Sequence, residues 1–298
     1  MARISLEQQL ALIRARASAA RFGERDRLGS LNTIDAGARA RALAAMRSAE
    51  SVSLSRTIDV AAEPAVELEV SLRELDDEPV TIATERLTIK CHGLTTTHID
   101  GLNHVGYDGT WYSGWPVDDL DGPSVLDWAA TGILARGVYL DVAAARGSEW
   151  AGAESPVSGA DLDAALAASG VELEPGDALI VDMGRDRFES AGNAVMPQRS
   201  AAPGAMQPGI GADGAEWIAN RDVGLLCWDF LDAVHPDERP YAVHSLLWSN
   251  GLVLVDNCDF ARLRAASARL GAAVGGLVIA PLALGGGTGS AVNPLFVF

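Results

Sequence analysis

The sequence predicts an α/β fold, and three observations carry that expectation. Residues 137–143 (GVYLDVA) and 178–183 are compact apolar runs. Between them lie a helix of DLDAALAAS character beginning over residues 158–168 and an LEPGD turn over 173–177, which is a strand, helix, turn, strand rhythm. Short alternating runs over 52–60, 65–72 and 80–90 add a β-rich region ahead of it. Hydrophobic residues make up 48% of the chain and charged residues 21%, enough apolar mass for a sizeable core.

The elements follow in order. Leu6, Leu10, Ile13 and Ala17 recur at helical spacing, so residues 5–20 read as an amphipathic helix. Residues 21–32, RFGERDRLGSLN, read as a structured loop, and residues 33–48 as a helix capped by Thr33 or Asp35. After the alternating runs, the β-branched stretch 95–100 reads as a strand, and Asp108-Gly109 as a turn. Residues 190–214, rich in Ala, Gly, Pro and Ser, read as a long surface loop. A short helix over 213–220, a buried strand over 223–230, a helix or loop over 245–250 and apolar runs over 252–255, 278–284 and 295–298 complete the chain. There is no internal repeat and no linker composition, so residues 1–298 are expected to form a single domain with an N-terminal helical extension over about 1–48.

Composition excludes several functions. A formal net charge of −17 lacks the basic footprint that nucleic acid or an anionic membrane requires. Lys90 is the only lysine and has no glycine-rich phosphate loop around it, which sets aside P-loop and Schiff-base chemistry. Cys91, Cys227 and Cys258 are odd in number and have no CxxC spacing, as expected for reduced thiols in a cytoplasmic protein. Cys91 is notable for its closeness to the histidines. Residues 1–16 lack the apolar core of a secretory leader. The apolar stretch 271–287 is broken by Pro281 and glycines, so no membrane span is expected.

Three of the five histidines, His92, His98 and His104, fall within residues 91–115. Period-two alternation puts His98 and Asp100 on one face of a strand, about 7 Å apart along it. Gly101-Leu102-Asn103 then bends the chain so that His104 can return towards them. Two imidazoles and a carboxylate suit a borderline divalent metal, and suit equally a general base with its orienting carboxylate. The structural alternative, polar residues satisfied at a strand end, is outweighed by the clustering. Trp111, Tyr112 and Trp115 follow directly, and with Tyr107 and Trp228 they divide between core packing and an aromatic wall for a substrate.

These landmarks resemble the cyclase family that contains bacterial kynurenine formamidase and isatin hydrolase. The family signature runs histidine, three residues, histidine, any residue, aspartate, three residues, histidine; here the four positions hold Leu94, His98, Asp100 and His104. RFGERDRLGSLN resembles the opening motif of the longer members, PGDALIVDMGR their mid-chain strand and GGTGSAVNP their terminal strand.

The resemblance implies a swivelling β/β/α-type fold, a mixed β-barrel-like sheet with flanking helices, and a dimer or larger homo-oligomer. It implies a divalent metal, zinc or manganese, held by His98, Asp100 and His104. A second pair twelve residues apart, His244 and Asp256, completes the set, with aspartate where glutamate is usual. Leu94 cannot bind a metal. His92, of the same strand parity, reaches that place only through a bulge or tight turn. Otherwise Asp100, His244 and Asp256 hold one ion and leave His98 and His104 for proton transfer, or no metal is used. The leading expectation is metal-assisted hydrolysis of an amide, lactam or lactone of a small metabolite, with His104 as base and then acid. The alternative is metal-free cyclisation, dehydration or isomerisation, with protons handled by His98, His104 and His244. A third class is a non-catalytic ligand binder.

Overall fold

Residues 6–17, 21–58, 66–75, 79–196 and 204–298 are described in a computed structural model of the chain. The strands in chain order are β1 (Ser51–Ser53), β2 (Val66–Glu74), β3 (Thr81–Ile89), β4 (His98–Asp100), β5 (Ile133–Asp141), β6 (Ala178–Asp182), β7 (Leu225–Trp228), β8 (Val253–Asp256), β9 (Val274–Ile279), β10 (Gly289–Ala291) and β11 (Leu295–Val297). Nine of them form one mixed sheet, ordered β1-β11-β9-β5-β6-β7-β8-β4-β10, that curls into a half-barrel with helices on its flanks. This is the α/β, barrel-like architecture expected.

The helices are α1 (Leu6–Ala17), α2 (Ala36–Ala45), α3 (Leu126–Ala129), α4 (Val142–Ala145), α5 (Gly159–Ser169), α6 (Arg185–Ser190), α7 (Ala212–Ala219), α8 (Ser245–Asn250) and α9 (Ala261–Leu270). Strands β5 to β8 run parallel, and the connections between them carry α5, α7 and α8. Every residue of β6, β7 and β8 is buried, because helices cover both faces of a parallel sheet. At the far side β4 runs antiparallel to β8, with His98 opposite Asp256, and β10 lies beyond it, with Gly289 opposite Asp100. That pairing brings the start of β4 against the C-terminal end of β8, the end of a parallel sheet where sites form.

Several local readings change. The strand expected over 95–100 is only His98–Asp100. Before it the chain bends, because Thr96 O accepts from the His98 and Asn257 side chains and Thr97 Oγ1 donates to Asn257 O, so these groups are taken by side-chain contacts instead of a ladder. Of the run 52–60, β1 reaches only Ser53, and residues 59 and 60 lie outside the described residues. Helix α1 covers the expected apolar spacing and buries Ile13; its Leu6 and Leu10 side chains, and residues 5 and 18–20, lie outside the described residues. Within the loop expected over 190–214, residues 197–203 also lie outside them.

The closing strand expected over 278–284 instead runs from Val274 to Ile279. Gly275 and Gly276 lie inside that strand and allow close packing: a Cβ on Gly275 would lie 2.4 Å from Val297 O, and one on Gly276 2.1 Å from Met46 Cε.

Caps decide the helix starts. Asp35 caps α2 by accepting from Ala38 N at 2.8 Å, while Thr33 Oγ1 is spent on Ser30 O. At α5, Ser158 and Asp161 make a reciprocal capping box, and Arg146 grips Asp161 through Nε at 2.8 Å and Nη2 at 2.6 Å. Burial opposes ionisation of Asp161, but Arg146 and Ser158 together hold its carboxyl down at about 2. Asp161→Ala is expected to cost about 1 kcal/mol at neutral pH, read from urea midpoints. A depressed carboxyl stabilises the fold above its unfolded value, so the cost should fade as pH drops towards about 2.

Candidate metal centre

Six side chains from separate parts of the chain converge at the edge between β8, β4 and β10. Asp100, fully buried, lies between two groups of donors. Its Oδ1 faces His92 Nδ1 at 2.9 Å, His98 Nε2 at 3.4 Å and His104 Nε2 at 4.0 Å. Its Oδ2 lies 3.9 Å from His244 Nε2, which in turn is 3.1 Å from Asp256 Oδ2. The ligand-type atoms of His92, His98 and Asp100 all lie within 4.8 Å of one another, and so do those of Asp100, His244 and Asp256.

His92 reaches this place through the bend. Asn257, in a left-handed conformation (φ 56°) that asparagine tolerates, donates through Nδ2 to Gly93 O at 2.7 Å and Thr96 O at 3.2 Å. Buried Arg185 donates to Asn257 Oδ1 at 2.7 Å and to Leu94 O, stapling the turn to the body. The turned segment lays the His92 ring parallel to His104, centroids 3.7 Å apart, with Nε2 3.0 Å from Thr288 Oγ1. Gly289 makes room, since a Cβ there would lie 2.5 Å from His92 Cε1.

The outer hydrogen bonds set the tautomers. His98 Nδ1 donates to Thr96 O at 2.8 Å, and His244 Nδ1 is bonded to the Asp232 carboxylate. Each leaves Nε2 directed at the carboxylates around Asp100, the orientation found around metal-binding histidines, where a cation would take the place of the Nε2 proton. Asp256 Oδ1 accepts from Trp228 Nε1 at 2.5 Å, which aims Oδ2 at His244. Asp100 Oδ2, by contrast, is buried and accepts no hydrogen bond. An orphaned carboxylate oxygen beside an imidazole nitrogen and a second carboxylate fits a divalent cation, which would displace the proton on that nitrogen.

The electrostatics describe a site rich in negative charge. Burial opposes ionisation of Asp100, yet bonds from His92 and His98 hold its carboxyl well below the usual range. Burial also disfavours charge on His98, but Asp100 and Asp256 raise it to about 9; His244 is pushed well above its ordinary value by Asp232 and Asp256 against the same burial. His104 moves the other way, lowered by burial and by neighbouring His92 and His244, so it is a neutral base at pH 7. The Cys91 thiol is pushed up to about 12 by burial and by Asp100 and Asp256, which removes it as a nucleophile.

The aromatic residues separate. Trp228 is fully buried and holds Asp256, so it has no face for a substrate. Trp115 lies between Arg25 and Arg27 at 4.7 and 4.9 Å and donates to Asp26 O, which anchors the loop over 21–32. Trp111 packs where Gly106 leaves space, and Tyr112 is buried. Tyr107 pairs with Trp248, centroids 5.3 Å apart, and Tyr241 stands edge-on to His244 at 6.2 Å. Trp248 and Tyr241 are the aromatic neighbours that sequence reading misses.

The family model for cyclases matches residues 51–234, a span that contains His92, His98, Asp100, His104 and Asp232. The chain belongs to the cyclase family. Among solved cyclase-family structures, one described as a novel cyclase superposes with a TM-score of 0.78 at 23% identity, over 94% of this chain and 98% of that one. Isatin hydrolase A from Labrenzia aggregata gives 0.57 at 16% identity, covering 83% of this chain and 92% of its own. The enzyme of that name from Ralstonia solanacearum gives 0.56 at 18%, covering 83% and 90%. At these identities the likeness speaks for the fold. Among curated proteins, none matches this sequence.

Within this cyclase-family chain, Asp232 is the residue behind the site that carries no sequence signal of its own. It lies in a turn-rich stretch and becomes buried only when the turn before α8 folds back; there it bonds both His244 Nδ1 and Val243 N. Asp232→Asn keeps the shape but weakens the grip on the His244 tautomer. Metal affinity is expected to fall about 10- to 100-fold, measured by competition with a chromogenic chelator.

Proposed function

We propose that this chain is a metal-dependent hydrolase that opens an amide, lactam or lactone bond in a small metabolite, with an aromatic ring on the favoured substrates. The observation that carries this reading is the position of Asp100, one carboxylate shared by two donor groups with an oxygen left unsatisfied. His92, His98 and Asp100 would hold one divalent ion, and Asp100, His244 and Asp256 a second; nitrogen and carboxylate donors suit zinc or manganese. Bound there, such a cation supplies Lewis acidity, which makes water a stronger acid and a carbonyl a better electrophile.

The chain's own groups do the rest. His104, neutral and partly exposed, takes the proton from the attacking water as the new C–O bond forms. It returns that proton to the leaving nitrogen or oxygen as the old bond breaks. His98 and His244 are held by Thr96 O and Asp232 so that their Nε2 atoms keep facing the reaction centre. Tyr107 and Trp248 offer an apolar flank beside His244 for a ring. The acidic composition and three free thiols support a cytoplasmic enzyme acting on small molecules, with neither nucleic acid nor a membrane as partner. No described helix is long and apolar enough to cross a membrane.

The metal-free alternative rests on Leu94; the place of His92 beside Asp100 supports the metal reading. The test uses full-length protein and three probes: isatin as a lactam, N-formylaniline as an amide and an aryl lactone. Turnover of at least one is expected, falling 100-fold or more when a chelator has removed the metal and returning with zinc or manganese. Undiminished turnover in protein shown by elemental analysis to be metal-free would overturn the reading.

A further inference from the structure

A cavity of about 260 Å³ lies between the end of α1, the loop over 21–32, the end of α7 and helix α8, and none of the side chains that meet at Asp100 lines it. It is joined to the metal centre only at second hand. Trp248 lines it and pairs on its other side with Tyr107, and α8 starts directly after His244.

The lining is of two kinds. Phe22, Tyr112, Ile218, Leu246 and Trp248 make it largely apolar. Trp248 Nε1 donates to Thr110 Oγ1 at 3.1 Å and the Tyr112 hydroxyl is bonded to Asp26, so neither ring brings an unsatisfied polar atom to the lining. Arg16, Arg21 and Arg221 supply the charge, and no acidic residue is among the described residues around the space. Each arginine holds an acid outside it: Arg16 bonds Glu216, Arg21 Nη1 bonds Asp222 Oδ1 at 2.6 Å, and Arg221 Nη2 bonds Asp163 Oδ1 at 3.0 Å. A guanidinium carries five N–H donors in a fork, so one acid does not exhaust it. These pairs are partly open to water, with 23%, 50% and 31% of the arginine side chains exposed, and pairs of that kind contribute about 0–1 kcal/mol. A second anion therefore meets little competition. The negative end of α7 is also covered, because Trp217 O accepts from Arg221 Nη1 at 3.0 Å and Ile218 O from Arg221 N at 3.0 Å.

Size narrows the occupant. At the packing density of protein interiors the space takes about 200 Å³ of van der Waals volume, a molecule of roughly ten to fifteen heavy atoms. We propose that this cavity is a second small-molecule site, which takes a one- or two-ring aromatic carboxylate with its ring on the apolar lining and its carboxylate on Arg16, Arg21 and Arg221. The site stands independently of the hydrolase reading.

Titration calorimetry of the full chain with benzoate, 1-naphthoate and indole-3-carboxylate is expected to show one-to-one, submillimolar binding of at least one acid. The neutral 1-naphthamide should bind about 10-fold more weakly or worse, the worth of one charge-assisted hydrogen bond. The same loss is expected in the double variant Arg21→Gln, Arg221→Gln, which removes charge, and in Ala219→Phe, which fills the space. Asp100→Asn, which dismantles the metal centre, should bind the acid as the wild type does. Hydrogen exchange of the wild type needs no variant: 1-naphthoate should slow exchange over residues 21–33 and 245–252 and leave 92–104 unchanged. Failure of all three acids to bind, equal binding of the amide, an affinity unmoved in either the arginine or the Ala219 variant, loss in Asp100→Asn, or protection gained over 92–104 instead would each overturn the proposal.

Discussion

Asp100→Asn is expected to strip the protein of stoichiometric metal and to lower hydrolysis by about 10³-fold or more. The carboxylate is the only group common to both donor sets, one oxygen turned to His92, His98 and His104 and the other to His244. Asparagine keeps the volume but offers one acceptor oxygen and no charge, so neither set retains its full complement. Lewis-acid stabilisation of the developing charge is worth several kcal/mol, and each 1.4 kcal/mol or so corresponds to a factor of ten in rate. Elemental analysis beside single-turnover kinetics checks both halves. A variant that keeps two equivalents of metal would show that Asp100 is not shared.

His92→Ala is expected to halve the metal content. The second set, Asp100, His244 and Asp256, keeps all its ligand atoms, though Asp100 loses its bond from His92, while the first loses an imidazole that no neighbour replaces at the same distance: His104 Nε2 lies 4.0 Å from Asp100 Oδ1 where His92 Nδ1 lies at 2.9 Å. Gly289→Ala should act in the same direction from the opposite side, because its Cβ would lie 2.5 Å from His92 Cε1 and push the ring off Asp100. The expected loss in affinity at the first set is about 10- to 100-fold for the glycine variant and more for the alanine. Two full equivalents retained in His92→Ala would assign the ligand role to His104 instead.

Much of the frame was legible beforehand. Apolar runs mark β6, β7 and β8, and the DLDAALAAS pattern marks α5, because burial on both sheet faces and helix-forming composition each leave a local pattern. Helix α9, ARLRAASARL, escaped notice: its buried face is Leu263 and Ala266, and alanine contributes too little hydrophobic contrast for the 3.6-residue period to stand out. The alternating runs 65–72 and 80–90 predict strands, found as Val66–Glu74 and Thr81–Ile89, but alternation is the same for a ribbon in solvent as for a half-buried strand.

The candidate site divides along the same line. Sequence by itself determined that His98 and Asp100 point the same way, that His104 follows a bend, and that His244 and Asp256 recur at a fixed spacing, since strand parity and separation along the chain are local properties. Only the tertiary structure decided which groups meet across the chain. His92 takes a place beside Asp100 because Arg185 and Asn257 fold the preceding turn and Gly289 leaves room for the ring. Asp232 orients His244, and Trp228 serves Asp256 instead of a substrate. Apart from the eight-residue contact of His92 with Asp100 and the twelve-residue link of Asp232 to His244, these are contacts between residues 28 to 197 apart, and all are set by sheet pairing and side-chain hydrogen bonds that no local pattern encodes.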